Sequence, residues 1–296
     1  MRNKGRNINV ALIQMCAKPY ALSENLALAL NLAKEARKKG ANLIILPELF
    51  DSGYCVGDRD AEFGIDFGVI KRGKNAPKSK TFIALSDFAK SSGAYIVACS
   101  IEKSSKEKSS KKLFDTAYIF SPQGKIIGKH RKIYLWGEEK SRFSKGKKYE
   151  VFSLDFGGFS TKVGLQICYE VGFGVGANIL ALQGAEILIY PSAFGKARAY
   201  NWDLLSRARA LENGVFVCAC NHSGAESNPT LKQRLEFAGD SRIIAPNGKI
   251  ITQATKQNEV IIANIDLDEV KTQREKIPYL KDFDTKLTKR GFGKFT

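Results

Sequence analysis

Val163-Gly164-Leu165-Gln166-Ile167-Cys168-Tyr169-Glu170 is the stretch on which the rest of the chain is organised. Val163, Leu165 and Ile167 alternate as the apolar face of a strand. Gly172, Gly174 and Gly176 follow, then an apolar helical run from Ala177 to Leu182. The pattern reads as a buried strand, a sharp turn carrying one cysteine, and a helix. A thiol at that corner points out of the sheet, with its sulfur near a helix N-terminus. Free N–H groups and partial positive charge there favour thiolate. The same donors can hold an oxyanion on any carbonyl the sulfur attacks. A lone cysteine is more often a buried structural residue, so the nucleophile reading depends on what else the chain supplies.

Upstream, Asn9 to Cys16 reads as a strand. Ser23 caps a helix from Asn25 to Lys39 that stops at Gly40. Asn42-Leu43-Ile44-Ile45-Leu46 is a strand that ends in Pro47-Glu48, so a carboxylate lies just past its C-terminal end, where open α/β sheets gather their ligands. A second helix covers Ser79 to Ser91, followed by a strand from Ala94 to Ile101. Leu113 to Phe120 and Lys125 to His130 continue as antiparallel partners, turning at Pro122-Gln123-Gly124. Lys132 then runs off the last of these strands.

Downstream the order repeats: strand Phe159 to Ile167, helix Val175 to Gln183, strand Ala185 to Tyr190, helix Ala199 to Asn213, strand Val215 to Cys220. Phe237 to Ala245 and Lys249 to Ala254 form a hairpin, and Glu259 to Ile265 closes the sheet region. The strands at Leu43, Ile187 and Val215 do not alternate, so both their faces should be covered. Two similar halves predict two stacked sheets with helices outside. No composition shift divides the 296 residues. A single domain over 1–296 is expected, with a core at 8–270 and a C-terminal tail at 271–296.

The basic start, Met1 to Arg6, and the apolar run Ile8 to Met15 mimic a secretory signal. That run is short and broken by Asn9 and Gln14, so a first strand is the better reading. No stretch approaches the ~18 apolar residues of a membrane helix. The six cysteines sit mostly in apolar runs without C-x-x-C spacing, which fits reduced thiols in a cytoplasmic protein. Cys218 and Cys220 share a strand face as core residues. Only His130 and His222 are present, so a histidine-rich metal site is not expected. The net charge of +17 is concentrated at Lys103 to Lys112, a Ser/Lys-rich hairpin tip, and at Lys140 to Lys148. This permits nucleic-acid contact, but no nucleic-acid module is present. A basic binding module is the alternative from a different functional class.

Glu48, Lys132 and Cys168 thus fall at the ends of successive core strands. Hydrolysis of an unactivated C–N bond needs a nucleophile stronger than water. It needs a base that returns the proton to the leaving nitrogen, and a positive charge where the carbonyl oxygen becomes anionic. Cysteine, glutamate and lysine can fill these roles without histidine. A Cys168–His222 dyad would leave Glu48 and Lys132 without a purpose.

Leu46-Pro47-Glu48, Lys129-x-x-Lys132-x-x-Leu135 and Gly164-x-x-Ile167-Cys168-Tyr169-Glu170 together resemble the nitrilase superfamily of carbon–nitrogen hydrolases. The resemblance runs from Asn9 to about Pro278. Each motif alone is weak; the three in this order, each at a strand end, are specific. The resemblance implies an α/β fold, a four-layer α-β-β-α sandwich, usually paired as a homodimer or larger homo-oligomer. It implies no cofactor and no metal. It also implies a covalent thioester or thioimidate on Cys168, with Glu48 as general base and acid and Lys132 as oxyanion-stabilising cation. The Tyr169 N–H would be a second oxyanion donor. Glu139-Lys140-Ser141-Arg142-Phe143-Ser144-Lys145-Gly146 matches the superfamily's E-K-x-x-F-x-x-G, which makes Glu139 the candidate for orienting Lys132. Tyr54, Tyr169, Ser192, Ala193 and Phe194 are the candidates for the substrate pocket. Val171-Gly172-Phe173-Gly174 departs from the Arg or Pro-Glu pair that many members carry there. Cys168 is followed by Tyr169-Glu170, which resembles the amidase branch rather than the Trp-Glu pair of nitrilases. The expected activity is hydrolysis of a small linear amide with release of ammonia. N-carbamoyl amine hydrolysis and nitrile hydrolysis by the same residues are the alternatives.

Overall fold

The computed structural model describes residues 5–67, 79–104, 112–228 and 230–293. The lysine-rich tip at 105–111 lies outside them. The strands are β1 (Asn7–Gln14), β2 (Leu43–Ile45), β3 (Tyr95–Ser104), β4 (Lys112–Phe120), β5 (Ile126–Arg131), β6 (Val151–Asp155), β7 (Ser160–Leu165), β8 (Ile187–Ser192), β9 (Phe216–Asn221), β10 (Ala225–Asn228), β11 (Gln233–Glu236), β12 (Arg242–Ile244), β13 (Ile250–Gln253) and β14 (Glu259–Asp266). Four longer helices cover the sheets: α1 (Leu22–Lys38), α2 (Lys80–Ser92), α3 (Gly174–Leu182) and α4 (Ala199–Asn213). The tail carries α5 (Asp268–Lys276) and α6 (Thr285–Phe292), with a single helical turn at Tyr279–Asp282 between them.

Two six-stranded sheets form, in the orders β14-β1-β2-β3-β4-β5 and β13-β12-β9-β8-β7-β6. Their pairing is the same. β1, β2 and β3 are parallel neighbours, and so are β7, β8 and β9. An antiparallel pair of strands extends each set, β4 and β5 in one sheet and β12 and β13 in the other. The opposite edge is closed by β14 in the first sheet and by β6 in the second. The chain's last strand therefore returns to complete its first half.

Alternation along the strands explains the layering. Val10, Leu12, Leu43, Ile45 and Val97 pack with Val163, Leu165, Ile187 and Ile189 between the sheets. Ala11, Ile13, Ile44 and Ile96 face the other way, onto Ala29 and Ala33 of α1 and Phe82 and Leu85 of α2. Leu180 of α3 and Trp202 and Ala210 of α4 are buried on the far side of the second sheet. Each fully buried aliphatic side chain contributes roughly 1.5–3 kcal/mol. A one-residue slip of β1 would move Val10 and Leu12 out of the inter-sheet layer, so the register is strongly specified.

Several local expectations change. Helix α1 begins at Leu22, with Ala21 at its N-cap and no side-chain cap, so Ser23 lies inside the helix. Ser79 does accept from the Phe82 N–H at the start of α2. The β12 ladder is confined to Arg242–Ile244, shorter than the expected strand from Phe237. Strand β6 and the β10–β11 hairpin were not expected. Their sequences carry little apolar signal, and Leu154 is the one fully buried residue of β6. Within the C-terminal tail, Thr285–Phe292 is helical. Asp284 caps that helix by accepting from the Leu287 N–H. Among the described residues, no helix is long and apolar enough to cross a membrane.

Candidate active site

Glu48 leaves the first sheet just beyond β2. The next residue, Leu49, has φ of 48°, a left-handed conformation that costs a non-glycine residue about 1–2 kcal/mol. The turn is held from the other sheet, where His222 Nε2 lies 2.6 Å from the Glu48 carbonyl oxygen. Lys132 follows β5, and its backbone N–H donates to the Asp115 carbonyl at 2.9 Å. The Gly146 N–H donates to the Lys132 carbonyl at 2.8 Å. A Cβ on Gly146 would sit 1.9 Å from the Arg131 carbonyl oxygen, so the last glycine of the E-K-x-x-F-x-x-G stretch is what lets the chain pass behind the lysine.

Cys168 sits at the predicted corner, with φ of 46°, and opens a short 3-10 turn through Gly172. Glu170 holds this corner. Its Oε2 accepts from the Ile167 N–H at 2.7 Å and lies 2.8 Å from His130 Nε2. Its Oε1 accepts from the Ile133 N–H at 3.0 Å. One buried carboxylate thus ties the residue before Cys168 to the residue after Lys132. His130, to which the sequence assigned no role, braces that carboxylate.

The side chains converge in a deeply buried site. Lys132 Nζ donates to Glu48 Oε1 at 2.5 Å and to Glu139 Oε1 at 2.7 Å, and lies 3.5 Å from Asp115 Oδ2. Glu48 Oε2 accepts from the Ala193 N–H at 2.7 Å. Glu139 Oε1 also accepts from the Tyr54 hydroxyl at 2.5 Å, and its Oε2 from the Trp136 N–H at 2.8 Å. Glu48 and Lys132 are 0 % exposed, Glu139 1 % and Cys168 7 %. In such surroundings charges are expensive unless paired. Burial alone would discharge Lys132. The carboxyls of Glu139, Glu48 and Asp115 outweigh that and hold its pKa well above the ordinary lysine value. Burial pushes Glu48 up to about 8, against the pull of Lys132.

Burial, reinforced by Glu48, also pushes the Cys168 thiol well above its ordinary value, with Lys132 opposing. This corrects the expectation that the turn favours thiolate. The resting sulfur carries its proton, and attack requires a base beside it.

Cys168 opens into a cavity of about 170 Å³ lined also by Tyr54, Trp136, Tyr169, Gly172, Ala193, Phe194, Gly195, Arg198, Asn201, Leu205, Leu235 and Phe237. Tyr54, Tyr169, Ala193 and Phe194 are where the sequence expected them. Ser192 is not among the lining residues: its buried hydroxyl turns back onto the Tyr190 carbonyl. Cys55 is neither in the lining nor at the surface; it is 1 % exposed, and its N–H donates to Glu226. The ring nitrogens of His222 face the Met15 and Glu48 carbonyls, which gives this histidine a structural part in the Glu48 turn. Asp115, Trp136, Arg198 and Phe237 were missed. Asp115 had a signal: a lone acid within the apolar strand Leu113 to Phe120. A wider, polar cleft of about 490 Å³, between Gln14, Lys196, Asp240 and Lys256, contains none of the converging side chains.

The carboxyl groups of Glu48, Asp115 and Glu139 lie within 4.8 Å of one another, a spacing that could suit a metal ion. The Lys132 ammonium is bonded among them, so its charge already fills the role a cation would have.

Residues 9–275 match the family described as Carbon-nitrogen hydrolase. The chain is 33% identical over 281 residues to the omega-amidase NIT2 of Xenopus tropicalis, covering 91% of this chain and 92% of that protein. It is 35% identical over 269 residues to a protein named nitrilase from Pyrococcus abyssi, covering 90% and 93%. The crystal structure of Saccharomyces cerevisiae Nit3, a member of branch 10 of the nitrilase superfamily, superposes with a TM-score of 0.79 at 30% identity, covering 92% of this chain and 94% of that one.

Proposed function

The chain belongs to the carbon-nitrogen hydrolase family of the nitrilase superfamily, and we propose that it is an amidase that hydrolyses a small linear carboxamide through a thioester on Cys168, releasing ammonia. The observation that carries this reading is the buried Lys132 ammonium bonded to both Glu48 and Glu139 in the site that holds Cys168. Glu48 takes the Cys168 proton as sulfur bonds to the amide carbon. The carbonyl oxygen becomes an oxyanion held by Lys132 Nζ and by the Tyr169 N–H, which lies at the start of the 3-10 turn, where backbone donors lack partners within the turn. Glu48 passes the proton to nitrogen, the C–N bond breaks and ammonia leaves. Water, deprotonated by Glu48, then attacks the thioester. The carboxylic acid product departs as sulfur recovers its proton. Glu139, bonded to Lys132, keeps the ammonium charged and aimed.

A nitrile would pass through a thioimidate on the same residues. The names of the relatives support both branches, omega-amidase in the frog protein and nitrilase in the archaeal one. The amide is favoured by Tyr169-Glu170 directly after the cysteine. In a panel of short amides, N-carbamoyl amines and matching nitriles, kcat/KM for the amides is expected to lead by at least about tenfold, which takes about 1.4 kcal/mol of differential transition-state binding. Glu139→Gln is expected to lower kcat more than it raises KM. Faster turnover of the nitriles would refute the branch.

The acyl group has its own pointer. Among the described residues, no carboxylate lines the cavity and Arg198 is its one cationic side chain. The Arg198 guanidinium stacks 4.5 Å from the centre of the Trp136 ring. An acyl chain ending in an anionic group suits that arrangement. A charge-assisted contact contributes about 1.5–3 kcal/mol. Arg198→Gln should therefore raise KM at least about tenfold for amides with a distal carboxylate and leave neutral amides unaffected. Equal effects on both would remove Arg198 from substrate selection.

A further inference from the structure

We propose that Glu226 is a positioning residue: reaching from the β10–β11 hairpin, it fixes the Tyr54–Cys55 backbone and thereby holds the Tyr54 hydroxyl on Glu139. The inference deepens the amidase reading of the same site, on which it rests.

A short hairpin is an unexpected place for a buried acid. The two side chains that β10 turns inward are Glu226 and Asn228, each 1 % exposed. An apolar pair would be buried there at less cost, because a buried carboxyl loses its water. Both polar side chains are directed at one short piece of backbone. Glu226 Oε2 accepts from the Tyr54 N–H at 2.8 Å and from the Cys55 N–H at 2.9 Å. Asn228 Nδ2 donates to the Cys55 carbonyl at 2.7 Å. Tyr54 and Cys55 belong to no helix or strand, so the hairpin supplies the partners that regular structure would otherwise give. Gly53 beside them has φ of 80°, and a Cβ there would stand 2.9 Å from Pro19 Cα and 3.2 Å from Glu226 Oε2. Glycine thus lets the carboxyl approach the chain.

Burial raises the Glu226 carboxyl to about 7, opposed by the Cys55 and Tyr54 N–H groups. An oxygen of either protonation form accepts these N–H bonds. What the hairpin supplies is therefore an acceptor at a set reach, not a permanent charge.

The reach matters because of what Tyr54 touches. Its hydroxyl donates to Glu139 Oε1 at 2.5 Å, the oxygen that also accepts from Lys132 Nζ at 2.7 Å. Its ring meets Phe237 edge-on, with centres 6.4 Å apart, and both rings line the cavity with Cys168. Phe237 follows β11, and its N–H donates to the Gly224 carbonyl at 2.9 Å, which closes the base of the hairpin. A shift of the Tyr54 backbone draws the hydroxyl off Glu139, the group that aims the oxyanion's cation. Misplacement by about 1 Å can cost about 10²-fold in rate.

Two variants separate reach from charge. Glu226→Asp keeps the acid and shortens it by a methylene. Glu226→Gln keeps the reach and an acceptor oxygen. With kcat counted per Cys168 titrated by iodoacetamide, Glu226→Asp should lose about tenfold in kcat with a smaller change in KM, and Glu226→Gln should stay within about twofold of wild type. Tyr54→Phe should also lose about tenfold, and adding Glu226→Asp to it should cost less than about twofold more, because both changes act on one contact. A purely structural acid would lower the melting temperature and the number of titratable sites while leaving kcat per site unchanged. Wild-type kcat in Glu226→Asp, equal losses in Glu226→Gln and Glu226→Asp, or losses that multiply in the double variant would each overturn the proposal. The cycle is run on the substrate turned over fastest. If that substrate is a nitrile and the losses do not multiply, the amide reading fails and the role of Glu226 stands. If it is an amide and they multiply, only the role of Glu226 fails.

Discussion

Cys168→Ala is expected to be folded and to turn over amides at less than about 10⁻⁴ of the wild-type kcat, the scale on which loss of a covalent nucleophile is felt. Fold should survive because the corner is held by Glu170, through the Ile167 and Ile133 N–H groups, and not by the sulfur. The other cysteines cannot substitute. Cys218 and Cys220 are wholly buried in β9, and the Cys220 sulfur faces the Ile13 and Ile45 carbonyls. Cys99 is turned to Asp115. Iodoacetamide should inactivate the wild type, and substrate should protect it. Circular dichroism with an ammonia assay separates loss of chemistry from loss of fold.

Glu48→Gln and Lys132→Met carry the second large effect, for different reasons. Glutamine preserves the shape of Glu48 and its contacts with the lysine and Ala193, but it cannot take or return a proton. The expected loss is about 10²–10⁴-fold in kcat. Glu48 is pushed up to about 8, so wild-type kcat/KM should fall as pH drops through that region and the base becomes protonated. In Glu48→Gln that limb should vanish. Lys132→Met removes the oxyanion's cation, worth about 10²–10³-fold. It also leaves the carboxylates without their ammonium; breaking a buried ion pair costs about 3–5 kcal/mol. Lys132→Met should thus lower the melting temperature as well as kcat, whereas Glu48→Gln should leave stability closer to wild type. If either variant kept most of its kcat, its assigned role would be wrong.

The architecture was legible because its signals are physical. Strands covered on both faces leave unbroken apolar runs, as at Leu43-Ile44-Ile45 and Ile187-Leu188-Ile189. The repeated strand–helix order predicts two equivalent sheets, and two equivalent sheets form. Glu48, Lys132 and Cys168 stood out because polar residues directly after core strands have no packing reason to be there. What stayed hidden had either no apolar signature or no local one. Edge strand β6 and the β10–β11 hairpin bury too little to show alternation. The state of the Cys168 thiol depends on how deeply the assembled site is buried and on Glu48, 120 residues away in the chain by numbering. Asp115 becomes meaningful only once β4 is placed beside Lys132. Lys140, Lys145, Lys147 and Lys148 are exposed, as a solvated basic surface would be, while Arg142 from the same cluster is bonded to Asp60.

Whether the acyl group passes through Cys168 is tested most directly by acid quench of the wild type during steady turnover of a short amide, followed by intact-mass and peptide analysis. The expected result is a mass increase equal to the acyl group, located on the peptide that contains Cys168, absent in Cys168→Ala and removed by hydroxylamine. Ammonia release at full rate with no acyl adduct on Cys168, together with near wild-type turnover by Cys168→Ala, would contradict it.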